Sequence, residues 1–178
     1  MSKETNIKKE VMEWVKSIAL AVVIAFVIKM FLFDTTYVVG SSMFPTLHNK
    51  DRLFTNKIGY LLKTPQRGDI VVIEAPDDPD KDYIKRIAGV EGDLVEIKNG
   101  HVYVNGELYE EDYIKQDIDT QGDISIQVPQ GEIFVLGDNR ELGASKDSRY
   151  FGTVKEEAVK GRAVFRYFPF GERFGVLH

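Results

Sequence analysis

The 178-residue chain contains no cysteine. That single absence removes disulfides, zinc–thiolate centres, redox cysteine pairs and thiol nucleophiles. Histidine is scarce: His48, His101 and His178 are the only three, and no two have the spacing of metal ligands. Neither a metal nor another cofactor is therefore expected. The net charge is −5, with no dense Lys/Arg stripe to neutralise phosphates, so nucleic acid is excluded as a partner. Repeats of domain-building length and low-complexity segments are also missing. The length suits one domain with an appendage and is short for two full domains.

What is present begins with a charge asymmetry. Residues 1–33 hold five lysines against three glutamates, which leaves −7 on the remainder. Residues 1–13 are polar, and 14–33, from Trp14 to Phe33, are mostly apolar, with Lys16 and Lys29 near the ends. Roughly 20 apolar residues span a bilayer core, lysines can snorkel, and Trp14, Phe31, Phe33 and Tyr37 suit the interfaces. A buried core helix is the competing reading, but no polar face recurs at helical spacing. A cleavable leader is the other, but no small-x-small site follows the apolar run. The expectation is a single-pass transmembrane signal anchor at 14–33. The positive-inside bias then puts the 1–13 tail in the cytoplasm and the catalytic part, 34–178, outside the cell membrane.

From Thr35 the texture turns to β. Thr36–Val39, Asp69–Ile73 and Ile133–Leu136 are short β-branched and aromatic runs bounded by turn residues. Val95–Val104 alternates about Asn99-Gly100, a type I′ hairpin signal, and Asn105-Gly106 closes the second strand in the same way. One short helical turn is expected around Val154–Val159. The fold class expected is mostly β, a single coiled β-sheet catalytic domain behind one N-terminal transmembrane helix.

Four segments carry residue types suited to chemistry. In Val39–Leu47, Ser41 and Ser42 follow the flexible Gly40, so a hydroxyl and a nearby N–H could both face a carbonyl; an ordinary turn is the bland alternative. In Asp82–Asp93, strand alternation puts Lys85 on the apolar face with Tyr83 and Ile87, and Arg86 on the other. A buried ammonium is costly unless it loses its proton, as a general base must, while an edge lysine reaching water is equally consistent. Leu136–Arg140 is turn chemistry in which Asp138 can bond its own backbone. Ser145–Arg149 packs Asp147 and Arg149 closely, as an ion-pair network does.

Together and in this order the segments resemble the type I signal peptidases, peptidase family S26. The matching stretches are Gly40–Leu47 (Gly-x-Ser-Met-x-Pro-Thr-Leu), Arg67–Val71, Tyr83–Asp93, Gly137–Arg140 with Ser145–Arg149, and Gly161–Arg166. The resemblance runs from the apolar segment to Phe170. It implies a membrane-bound serine endopeptidase that removes signal peptides from exported preproteins, cutting after small residues of the Ala-x-Ala type. Ser42 would be the nucleophile, Lys85 the general base and Ser145 a hydrogen-bond partner of the lysine. Asp147 and Arg149 would form a supporting salt bridge, and Asp138 would hold the turn. Gly40 stands where proteobacterial members carry a second oxyanion serine, so the chain resembles the Gram-positive type, which leans on the Ser42 N–H. Four residues, Glu141–Ala144, separate the last two motifs where two are usual. Partners implied are preproteins, membrane lipid and a nearby secretion translocase. Competing readings are His48 as the base, a self-cleaving repressor-type Ser-Lys peptidase, and a β-domain that only binds.

Overall fold

A computed structural model describes residues 2–31, 33–57, 64–115 and 118–177. Helix α1 (Ser2–Phe31) leads into β1 (Phe33–Tyr37), and strands of two to twelve residues follow. They are β2 (Arg52–Asn56), β3 (Ile70–Ala75), β4 (Asp78–Gly89), β5 (Leu94–Lys98), β6 (His101–Val104), β7 (Glu107–Leu108), β8 (Ile124–Gln127) and β9 (Glu132–Leu136). After helix α2 (Ser148–Phe151) come β10 (Val154–Lys155), β11 (Val159–Phe168) and β12 (Gly175–Val176).

The strands form two sheets, which corrects the expected single coiled sheet. Eight strands run β1-β2-β11-β3-β4-β9-β10, with β12 on β11; the other four run β7-β6-β5-β8. The smaller sheet is built on tight local turns. Asn99 and Gly100 take positive φ of 52° and 80°, closing β5 onto β6, and Asn105 and Gly106 at 53° and 83° fold β7 back on β6. These hairpins close on one another and on β8, and no ladder joins them to the larger sheet among the described residues. Apolar packing joins the sheets instead: Val95, Ile97, Val102 and Val104 form one core with Ala88, Phe134 and Leu136 of the larger sheet.

The transmembrane anchor expected at 14–33 is also corrected. Among the described residues no helix is long and apolar enough to cross a membrane. Helix α1 is continuous across the boundary between residues 13 and 14, and Lys9, Glu10, Glu13 and Lys16 fall in its N-terminal half. The single-pass location in the cell membrane and the description as membrane-bound are corrected by the same finding, since neither has a spanning helix among the described residues to support it.

Strand β4 is the element that positions the site. It pairs with β3 through Val71↔Lys85 and Ile70↔Arg86, and with β9 through Arg86↔Leu136, so Lys85 and Arg86 sit in the middle of the larger sheet. One face of the strand joins the core of Val71, Ile73, Ile87, Ile133 and Val135, with Tyr83 packed against it. Ile84 packs against the core of Val38, Met43, Leu47, Leu53 and Ile70. The helical turn expected at Val154–Val159 is a 3-10 turn over Glu156–Ala158.

Candidate active site

Ser42 sits in the turn after β1, where Gly40 takes φ 97° and donates its N–H to Asn49 Oδ1 at 3.2 Å. Met43, only 2% exposed, plugs the adjoining core and fixes the turn from below. From above, Asn139 donates its backbone N–H to the Ser42 carbonyl at 3.0 Å and its side-chain amide to the Ser41 carbonyl at 3.1 Å. The backbone of both serines is thus pinned while the Ser42 side chain faces a groove.

That groove, about 620 Å³, runs between residues 34–40 on one side and Asp82–Lys85 on the other, with Ser42 and Lys85 in its lining. Lys85 is 3% exposed, and its Nζ lies 2.8 Å from Ser42 Oγ. Burial pushes its pKa down from 10.5 to about 8, against the pull of the Asp147 and Asp138 carboxylates. At that value a useful fraction of the amine is neutral near pH 7, and a neutral Nζ can accept the hydroxyl proton.

Each of these two carboxylates is matched by its own cation. Asp147 is fully buried and accepts from Arg149 Nε at 2.8 Å and from Arg149 Nη2 at 2.7 Å. Burial pushes its carboxyl up, but the hydrogen bonds and charge of Arg149 prevail and hold it below the usual carboxylate range. Asp147 also caps α2 by accepting the Arg149 N–H, and it accepts the Gly137 N–H at 3.0 Å, so it joins the loop to the end of β9. Asp138, read from sequence as a turn residue, accepts from Arg86 Nε at 3.0 Å, from Arg86 Nη2 at 2.8 Å and from the Thr46 hydroxyl. A further buried pair holds the same turn. Arg140 donates to Glu111 and Thr120, and to the Gly137 carbonyl at 2.8 Å.

Ser145 comes into this cluster differently from its expected contact with the lysine. Its Oγ is buried and has no hydrogen-bond partner among the described residues, while Lys85 Nζ is directed at Ser42 Oγ. The hydroxyl lies near enough to Asp147 to favour the ionised carboxyl. Gly137 is squeezed between the two serine segments: a Cβ there would collide with Ser145 Oγ and come within 2.5 Å of the Ser42 carbonyl oxygen. His48 is half-buried and packs edge-on against Phe44 with ring centroids 5.0 Å apart; it is not among the groove residues.

Sequence reasoning passed over Arg86, Thr46, Glu111 and Tyr113, although Arg86 was open to discovery. A guanidinium in the middle of a twelve-residue strand must find an anion, and Asp138 was within the motifs. The Arg86 guanidinium also lies 3.9 Å from the centroid of the Tyr113 ring. Glu111 and Tyr113 fall in an irregular segment and carried no local signal.

The family model for signal peptidase, peptidase S26, matches residues 11–168. Signal peptidase IB of Staphylococcus aureus (strain COL) is 40% identical over 182 residues, covering 93% of each chain. Signal peptidase I of Bacillus licheniformis is 40% identical over 180 residues, covering 96% of this chain and 95% of that protein. A solved signal peptidase I from Enterococcus faecalis V583 aligns at 35% identity with a TM-score of 0.49, covering 56% of this chain and 97% of that one. With the family model matched over most of its length and relatives this similar from end to end, the chain belongs to the signal peptidase I family of serine hydrolases, S26.

Proposed function

We propose that this chain is an endopeptidase that cuts preproteins, with Ser42 as nucleophile and Lys85 as general base. Family membership relates it to the substrates of secretion in general; signal-peptide-bearing preproteins as its substrates are the finer reading. The observation that carries the proposal is a buried lysine, pushed down to about 8, with its Nζ 2.8 Å from a serine hydroxyl on the wall of a groove.

The chemistry follows from that pair. Neutral Lys85 takes the Ser42 proton as Oγ attacks the scissile carbonyl carbon, and the carbonyl oxygen becomes an oxyanion. The backbone N–H of Ser42 is the proposed donor to it, in a turn already fixed by Asn139. The lysine ammonium passes its proton to the leaving amine as the C–N bond breaks and the acyl-enzyme forms. A water molecule, deprotonated by the same amine, then hydrolyses the ester. Asp147–Arg149 and Asp138–Arg86 position this machinery rather than touch the substrate. The preprotein lies extended in the groove, where alternate residues face the same way. The first and third positions before the cut then face the wall that includes Val38, Met43 and Ile84, and small residues fit there.

Incubating the protein with a preprotein bearing an Ala-x-Ala site tests the reading. Cleavage should be lost in Ser42→Ala and retained in Ser41→Ala and His48→Ala. Survival of activity in Ser42→Ala, or its loss in His48→Ala, would move the nucleophile or the base elsewhere.

A further inference from the structure

The turn between β3 and β4 reaches across to the loop that carries Ser145 and Asp147. At its tip Asp77 accepts from Lys146 Nζ at 3.0 Å, a contact between residues 69 apart in sequence. The Asp77 side chain is 23% exposed and that of Lys146 57%. The Lys146 ammonium also lies 5.2 Å from the centroid of the Tyr150 ring, on α2. Inward of Asp77 stands Tyr83, whose phenol is held protonated by burial and then by the Asp77 carboxylate. The Tyr83 ring in turn has Lys85 Nζ 5.2 Å from its centroid, and both residues line the groove. Lys146, Asp77, Tyr83 and Lys85 therefore form a continuous series from solvent to the amine.

The charges facing Lys85 come from several elements. Tyr83 is on its own strand, Asp138 follows β9, Asp147 and Arg149 belong to the loop and α2, and Asp77 is on the hairpin tip. Every one of these carboxylates has a cation of its own: Arg86 for Asp138, Arg149 for Asp147 and Lys146 for Asp77. With its anions already matched, the ammonium gains little from them, and desolvation decides its state. The Asp77–Lys146 pair is the most exposed of the three.

We propose that the Asp77–Lys146 pair is a positioning device for the base: it clips the β3–β4 tip to the Ser145–Asp147 loop, holds the Tyr83 ring against Lys85 and neutralises the Asp77 charge. The inference rests on Lys85 being the base. Both residues act through Tyr83 and the local field, without contact to substrate.

The test is the pH profile of kcat/KM on a preprotein substrate, with Lys146→Met, Asp77→Asn, the double variant and the charge swap Asp77→Lys with Lys146→Asp. Freeing Asp77 in Lys146→Met should raise the midpoint of the rising limb by about 0.3–0.5 pH unit, roughly a two- to threefold loss at a fixed pH below it. Asp77→Asn frees Lys146 instead and should lower the midpoint by a similar amount. The double variant should return it to the parent value, and the swap should restore the plateau as well. A clip with only a packing role gives no opposed shifts. Midpoints that stay fixed, or move in the same direction in both single variants, overturn the proposal. Lys85→Met measured alongside separates the two levels: activity there removes the base reading itself, whatever the Asp77 and Lys146 variants do.

Discussion

Lys85→Met separates what the lysine does for catalysis from what it costs the fold. The native amine titrates at about 8 against an ordinary 10.5, so the folded state disfavours the ammonium. At about 1.4 kcal/mol per unit, the protonated lysine destabilises the native state by about 3 kcal/mol, an order-of-magnitude figure. The sign follows from linkage. Below pH 8 both native and unfolded states carry the proton and the whole penalty is present. Between 8 and 10.5 the native state has released its proton while the unfolded state still holds it, so the parent gains stability as pH rises. Above 10.5 the penalty is gone. Methionine keeps the length and the apolar contacts of the side chain without the charge, so the variant should be more stable than the parent near pH 6.5. For a chain of this size the gain corresponds to about 6–12 °C in Tm. Thermal unfolding followed by circular dichroism at pH 6.5, 8.5 and 10.5 reads it directly, while preprotein cleavage should fall by about 10³-fold or more. A variant no more stable than the parent at pH 6.5, or a difference that does not shrink as pH rises, would refute the claim that burial holds this amine down.

Two further substitutions probe the supports. Asp138→Asn leaves the Arg86 guanidinium, whose side chain is 2% exposed, without its carboxylate and should destabilise the domain by about 3–5 kcal/mol in denaturant titrations; a loss under 1 kcal/mol would mean that other acceptors suffice. Gly137→Ala forces a methyl between Ser145 Oγ and the Ser42 carbonyl and should reduce kcat strongly with little change in KM; full activity would mean that the two segments can separate freely.

Much of the site lay open in the sequence because its logic is local. Alternation along β4 put Lys85 on the apolar face with Tyr83 and Ile87, and the structure buries it there. The Asn99-Gly100 turn is likewise a property of two residues, and their dihedrals follow. Two matters depend on pairing at a distance. Whether the β5–β8 hairpins join the main sheet is decided by ladders between remote strands, so one sheet was expected where two exist. Arg86 is as buried as Lys85 because Asp138, 52 residues away, meets it. Helix α2, four residues long and capped by Asp147, is too short for any periodic pattern. The N-terminal expectation failed for a different reason. It rested on the apolar composition of 14–33, while among the described residues no helix is long and apolar enough to cross a membrane.

The central claim is that Lys85 is the base that activates Ser42, and the pH dependence of kcat/KM tests it most directly. The parent enzyme should show a rising limb with unit slope and a midpoint near 8, set by the lysine that is pushed down to that value. In Lys85→Arg the limb and the activity should disappear together, because guanidinium keeps its proton throughout that range. An active Lys85→Arg enzyme, or a limb that persists there and vanishes in His48→Ala, would contradict the account.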